Sequence, residues 1–223
     1  MSEVIRLENV VKMYPGARRA VNDMTLSISE NQRVIIRGPA GSGKRTLMKL
    51  IAGMQPPSSG SVTVMGKALH DMDGDATAHF RNKYIGVVPQ TPSLFEGLTV
   101  LENVELPLAA RGTPPTPRRK AALEQLKTMG ITHISYAYPS QLSALEVQIA
   151  SVAKALVTQP KILLLNDILA SLSERETEQF SGTMHAVWEY GCYTALYFTG
   201  TAPALDAERL ITLSHGKIQE DIQ

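Results

Sequence analysis

Arg33-Val34-Ile35-Ile36-Arg37 leads directly into Gly38-Pro39-Ala40-Gly41-Ser42-Gly43-Lys44. The first five residues form a short β-branched run of the kind that makes a buried strand. Glycines then punctuate a turn, and beyond Lys44 the residues Leu47, Leu50 and Ile51 share one face at helical spacing. Strand, glycine-rich turn and helix, in that order, are the setting in which this spacing binds phosphate. Glycines let backbone N–H groups converge on phosphate oxygens, and the helix N-terminus adds a partial positive charge. Gly38, Pro39, Ala40, Gly41, Ser42 and Gly43 are therefore candidate cradle residues, and Lys44 is the point charge for β- and γ-phosphates. A glycine-rich turn with an incidental lysine is the plainer reading, and the spacing with both flanks disfavours it.

The position after the lysine should carry Ser or Thr, whose hydroxyl holds Mg²⁺. Here it is Arg45. Thr46 follows one residue later, about 100° further round a helix, so its hydroxyl does not stand in the vacated place.

Outward from the loop, strands and helices alternate. Val4 to Val11, Met24 to Ile28, Ser61 to Val64, Tyr84 to Val88, Lys161 to Leu165, Tyr193 to Phe198 and Arg209 to Leu213 read as strands. Pro117 to Met129, Leu145 to Leu156 and Glu174 to Tyr190 read as helices. The pattern predicts an α/β P-loop NTPase core with a largely parallel sheet. Residues 91–156 hold no good strand and are expected to be a helical subdomain inserted in a core of 1–90 and 157–223. Gly112-Thr113-Pro114-Pro115-Thr116-Pro117 is expected to be a surface loop.

Bulk properties narrow the class further. At 223 residues and 43% hydrophobic, the chain can build one sizeable core. A net charge of +1, with only short basic clusters at Arg18-Arg19 and Arg118-Arg119-Lys120, gives no basis for nucleic-acid binding. The lone cysteine, Cys192, excludes an internal disulfide and fits a reducing compartment. The opening residues lack a signal-peptide pattern, and no apolar run approaches the roughly 20 residues of a membrane helix. Any membrane link is thus expected through a partner.

Together with the phosphate loop, Leu98-Thr99-Val100-Leu101-Glu102-Asn103-Val104-Glu105-Leu106-Pro107-Leu108 and Gln55-Pro56-Pro57-Ser58-Ser59-Gly60 carry a resemblance. The chain is similar, over most of its length, to the ATP-binding subunits of ABC transporters. Within them it most resembles the lipoprotein-releasing, macrolide-exporting and cell-division branch. That resemblance implies an N-terminal antiparallel β layer, ATP as cofactor, a membrane permease as partner, and pairing with a second ATP-binding subunit, identical or different. It also implies a peripheral place on the cytoplasmic face of the membrane. By the same resemblance Tyr14 matches the aromatic that stacks on adenine, and Gln90 the glutamine that touches Mg²⁺ and the attacking water. The permease groove is implied near Gln90 to Pro107, with Phe95, Leu98 and Leu101 as candidate apolar contacts.

Other motif positions depart from the pattern. The signature Leu-Ser-Gly-Gly reads Leu142-Ser143-Ala144-Leu145, so Ser143 keeps its hydroxyl while two glycines are lost. The apolar strand that should end in Asp-Glu ends in Asn166-Asp167, leaving Asp167 as a shortened candidate base. Ile168-Leu169 replace Pro-Thr, Ser173 replaces an aspartate, and Gly200 stands where a histidine is expected. His215 lies in a later turn and gives no reason to inherit that role. Phosphoryl transfer rests on positioning and charge, so such losses compound. The expected function is an ATP-binding, permease-coupled subunit with weak or absent hydrolysis, in which the changes also weigh against Mg²⁺. An active ATPase using Asp167, and a non-transport scaffold signalling to a membrane partner, are the alternatives.

Overall fold

The computed structural model describes residues 2–16, 18–191, 193–200 and 205–223. Cys192 lies outside the described residues. In chain order the elements are β1 Glu3–Tyr14, β2 Arg18–Ser29, β3 Arg33–Arg37, α1 Lys44–Ile51, β4 Ser59–Val64, β5 Lys67–Ala68, α2 Gly74–Tyr84 and β6 Ile85–Val88. They continue with α3 Val100–Ala109, α4 Pro115–Thr128, α5 Ala144–Leu156, β7 Ile162–Asn166, α6 Glu174–Tyr190, β8 Thr194–Thr199, β9 Arg209–Ser214 and β10 Lys217–Ile222. The chain divides into two compact units.

The first unit comprises Met1–Arg81, Leu164–Asp167 and Tyr193–Gln223. Its antiparallel sheet has the order β2-β1-β4-β5. β1 and β2 are longer than the alternation alone predicts. Their register shifts between Leu7 and Val10, where Asn9 (φ 48°) has Asp23 (φ 53°) on the opposite strand. An irregularity in a ladder swaps the face that later residues present, which breaks the period a sequence reading follows. The part of the second sheet in this unit runs β10-β9-β3-β8-β7. β3 pairs in parallel with both β8 and β9, with Ile35 opposite Tyr197 and Leu210. Val34, Ile35 and Ile36 are consecutively buried, as a central parallel strand covered on both faces requires. β10 shows no apolar alternation and is mostly exposed, so it reads as an edge. It is anchored by Arg209, whose guanidinium forks onto both oxygens of Asp221 at 2.7 and 2.6 Å and also donates to Ser27 O at 2.7 Å.

The second unit comprises Asn82–Leu163 and Ile168–Cys192. It contains all of residues 91–156 and also the flanking 82–90, 157–163 and 168–192. Within it α3 packs against α4 and α5. Buried Glu105 of α3 accepts Arg118 Nε at 3.0 Å. Arg111 is lodged by Asn82 O at 2.6 Å, Asn82 Oδ1 at 2.7 Å and Thr158 O at 3.1 Å. The proline-rich stretch is a correction to the loop expected there. α4 begins at Pro115, so Pro115-Thr116-Pro117 form its first turn. Proline is favoured there because its fixed φ suits the helix and its missing N–H would lack an intrahelical partner anyway. No helix among the described residues is long and apolar enough to cross a membrane.

Candidate nucleotide-binding site

The glycine-rich loop connects the end of β3 to the start of α1, in the first unit. Its shape is dictated by the backbone on either side. Gly38 N–H donates to Thr199 O at 3.3 Å. A Cβ on Gly38 would lie 2.3 Å from Leu213 O, and one on Gly43 would lie 2.2 Å from Ala20 O. Gly41 and Gly43 adopt φ of 79° and 104°. Gly216, in the turn that follows β9, donates its N–H to Ser42 O at 2.9 Å. The turn containing His215 therefore buttresses the loop from behind, a role its sequence did not signal.

α1 starts with Gly43 as N-cap, no side-chain cap and no acidic residue in its first turn. Amide N–H groups of an uncapped first turn favour an anion. Among the described residues, Ser42 Oγ is buried without a hydrogen-bond partner. Lys44 is 8% exposed, and its ammonium donates to Gly38 O and to Pro39 O, the latter at 3.1 Å. Burial lowers the pKa of Lys44, and the charge of Asp167 opposes that shift. A phosphate arriving here would exchange carbonyl partners of the ammonium for charged oxygens, the stronger pairing. The glycine backbone, the uncapped helix end and Lys44 together suit a polyphosphate.

Tyr14 and Thr46 belong to the same unit and meet. Tyr14 Oη donates to Gln55 Oε1 at 2.7 Å and lies 3.5 Å from Thr46 Oγ1. The hydroxyl of Thr46 is thus turned toward the tyrosine, and Arg45 is exposed on the helix. Gln55 was not singled out by sequence reasoning, although it sits in one of the stretches that carry the family resemblance.

Asn166, 4% exposed, ends β7, and Asp167 follows with a left-handed φ of 46°. Asp167 N–H donates to Phe198 O at 2.7 Å, and its Oδ1 accepts the N–H of Gly200 at 2.9 Å. The structure thus brings together Asp167 and Gly200, two positions at which the sequence departs from the pattern.

Gln90 and Ser143 lie in the second unit and are described within it. Ser143 is the N-cap of α5 in a reciprocal box with Glu146, whose carboxylate accepts Ser143 N–H and Oγ–H at 2.8 Å each. Those hydrogen bonds hold the pKa of Glu146 below the usual value. Ser173 caps α6 through Glu176 in the same way. Of the candidate docking residues, Leu101 is 1% exposed and lies on the buried face of α3, which corrects the surface role considered for it. Phe95 is 60% exposed, with Lys154 Nζ 4.9 Å from its ring centroid.

Comparison with known proteins agrees with this geometry. The chain is 29% identical to the macrolide export ATP-binding/permease protein MacB of Photorhabdus laumondii, over 99% of its own length and 35% of that protein's. It is 30% identical to the methionine import ATP-binding protein MetN of Brucella abortus, over 98% of its length and 59% of the relative's. The chain therefore spans about a third and about three-fifths of these curated relatives. Among solved structures it is similar to the ATP-binding cassette MJ0796, a dimer in a post-hydrolysis state bound to ADP and Pi. That match has a TM-score of 0.86 and 30% identity and covers 98% of each chain. The sequence profile of the ABC transporter family matches residues 21–170, about two-thirds of the chain, and the chain accordingly belongs to the ABC transporter family as an ATP-binding domain.

Proposed function

We propose that this chain binds ATP and couples it to a membrane permease, with weak or absent hydrolysis of its own. The hydrogen bond from Gly200 N–H to Asp167 Oδ1 at 2.9 Å carries the second half of that reading. In the family pattern a glutamate at this point would act as base and a histidine would steady the γ-phosphate. Here the carboxylate is one methylene shorter and engaged by a backbone amide, and the other position has no side chain. The phosphate cradle, in contrast, keeps the glycines its backbone demands. Binding and turnover are thereby separated in one site.

The loop amides from Ala40 to Gly43 would donate to the phosphates, with Gly38 and Pro39 shaping the cradle, Lys44 supplying the counter-charge and Tyr14 a face for the base. Thr46 acts through the hydroxyl of Tyr14. Gln90 would be the relay toward the permease, and Ser143 would reach a nucleotide held by a second cassette. MJ0796 is dimeric and has 30% identity to this chain, which supports pairing with a second cassette. The residues do not make a convincing Mg²⁺ site. Arg45 brings a positive charge where a hydroxyl would be, and Asn166 is neutral. The helical segment 91–156, with Phe95 exposed on it, is the part that would meet the permease, placing the chain on the inner face of the membrane.

The reading is tested by titrating ATP into the purified chain and measuring phosphate release, alone and with its permease. Micromolar binding with turnover near background supports it. Robust turnover from the unmodified chain would refute the second half, and absence of binding the first. Restoring Asn166→Asp, Asp167→Glu and Gly200→His together with Arg45→Ser is expected to raise turnover when a partner supplies an intact signature.

A further inference from the structure

We infer that Gln55 is a positioning residue for the nucleotide base: it anchors the Tyr14 ring, so that the base platform and the phosphate-loop helix form one piece. The inference rests on the reading above that Tyr14 receives the base. It assigns a task to Gln55-Pro56-Pro57-Ser58, a stretch that the proposed mechanism leaves without one.

After α1 ends at Ile51 the chain turns at Gly53, whose φ is 63° and whose Cβ would press on Leu69 and Thr77 at 2.9 and 3.0 Å. Residues 55–58 then return beside the end of β1 and hold it by four hydrogen bonds. Ser58 N–H donates to Val11 O at 2.7 Å, Lys12 Nζ to Pro56 O at 2.7 Å, Met13 N–H to Ser58 Oγ at 3.0 Å, and Tyr14 Oη to Gln55 Oε1 at 2.7 Å. Tyr14 is the last residue of β1, where a strand would otherwise fray. A partly buried tyrosine hydroxyl needs a partner, and here both its neighbours belong to the phosphate-loop helix or to the turn that follows it. Thr46 Oγ1, 3.5 Å away, is two residues beyond Lys44. Pro56 and Pro57 fix φ and stiffen the tether.

The consequence is preorganisation. A ring held at its far end loses little further freedom when a base stacks on it, and ordering costs of that kind otherwise subtract from affinity. The distance from ring to phosphate cradle is likewise set by one helix and its exit turn. If the hydrogen bond only closed a surface gap, its loss would lower stability without changing the advantage that a base confers over bare phosphates.

That advantage is measurable. ATP and inorganic tripolyphosphate are titrated calorimetrically into the full chain and into Tyr14→Phe, Gln55→Leu, their double variant, Gln55→Glu and Tyr14→Ala. Losing one neutral hydrogen bond corresponds to about a threefold to tenfold change. Tyr14→Phe and Gln55→Leu are each expected to weaken ATP by that factor, the double variant by no more than either, and tripolyphosphate binding should stay constant throughout. Gln55→Glu keeps an acceptor and should stay within about twofold of the native chain. Tyr14→Ala should weaken ATP further, by about 10- to 100-fold, because stacking itself is gone. Equal weakening of ATP and tripolyphosphate by Gln55→Leu would overturn the inference in favour of a purely structural contact. So would an unchanged Gln55→Leu beside a weakened Tyr14→Ala. An unchanged Tyr14→Ala would overturn the inference through its premise, showing that the base does not use this ring.

Discussion

Gly43→Ala should damage this protein before any nucleotide is considered. Gly43 has φ of 104°, and an added Cβ would sit 2.2 Å from the carbonyl oxygen of Ala20. Two costs add. An L-residue held at strongly positive φ costs about 1–3 kcal/mol. The overlap is with backbone, which cannot rotate aside, so the loop or the start of β2 must shift and lose hydrogen bonds near Gly216 and Ser42. A total of about 3 kcal/mol or more is the expected order. Gly112 provides the control. Its φ is 75°, and a Cβ there would meet nothing within 4 Å among the described residues. Gly112→Ala carries only the conformational cost, about 1 kcal/mol. At about 2–4 °C per kcal/mol for a chain of this size, melting should fall by about 6–12 °C for Gly43→Ala and about 2–4 °C for Gly112→Ala. Differential scanning calorimetry without nucleotide measures both. If Gly43→Ala melts no lower than Gly112→Ala, the close approach of Ala20 does not constrain the loop, and the glycine is required by phosphate alone.

Three further outcomes are expected. Asn103 is fully buried, its Oδ1 accepting Phe95 N–H at 2.7 Å and its Nδ2 donating to the carbonyls of Phe95, Leu98 and Thr99. Asn103→Ala should therefore cost about 2–4 kcal/mol in urea unfolding, and a cost under about 1 kcal/mol would show that water replaces the amide. Asp221 is held below the usual carboxylate pKa by hydrogen bonding to Arg209. Its contribution is present above the unfolded pKa of about 3.9 and is lost as pH falls through the lower folded value. Asp221→Asn should thus lose stability at pH 6 and show a shallower decline below pH 4, read by thermal melting across that range, whereas parallel curves would refute the linkage. If the positive charge of Arg45 substitutes in part for a metal ion, ATP affinity of the native chain should change little when Mg²⁺ is chelated, while Arg45→Ser should become metal-dependent. Collapse of native binding on chelation would exclude that role.

Much of the core was legible because its physical cause is local. Residues Arg33 to Arg37 form the strand expected of them, and the helix expected at Glu174 to Tyr190 spans those residues. Both signals, a β-branched run and helical spacing, lie within one element. Where structure depends on a partner strand, the reading fell short. β10 is a polar edge whose stability comes from β9 and from the Arg209 fork, neither of which appears in its own pattern. The start of α4 was obscured by prolines that suit a loop and a helix's first turn equally well.

The sequence by itself determined that a phosphate-binding loop follows a buried strand and opens a helix. It also determined that several positions around that loop carry unusual chemistry, since residue identity and spacing are covalent facts. Only the tertiary structure decided what those residues do to one another. It set the Asp167 carboxylate on the amide of Gly200, 33 residues away, pressed the Gly216 turn against the back of the loop, and tied Tyr14 to Gln55 across 41 residues. Hydrogen bonds act over about 3 Å, and such a distance between residues remote in sequence is created only when the sheet and its connections close.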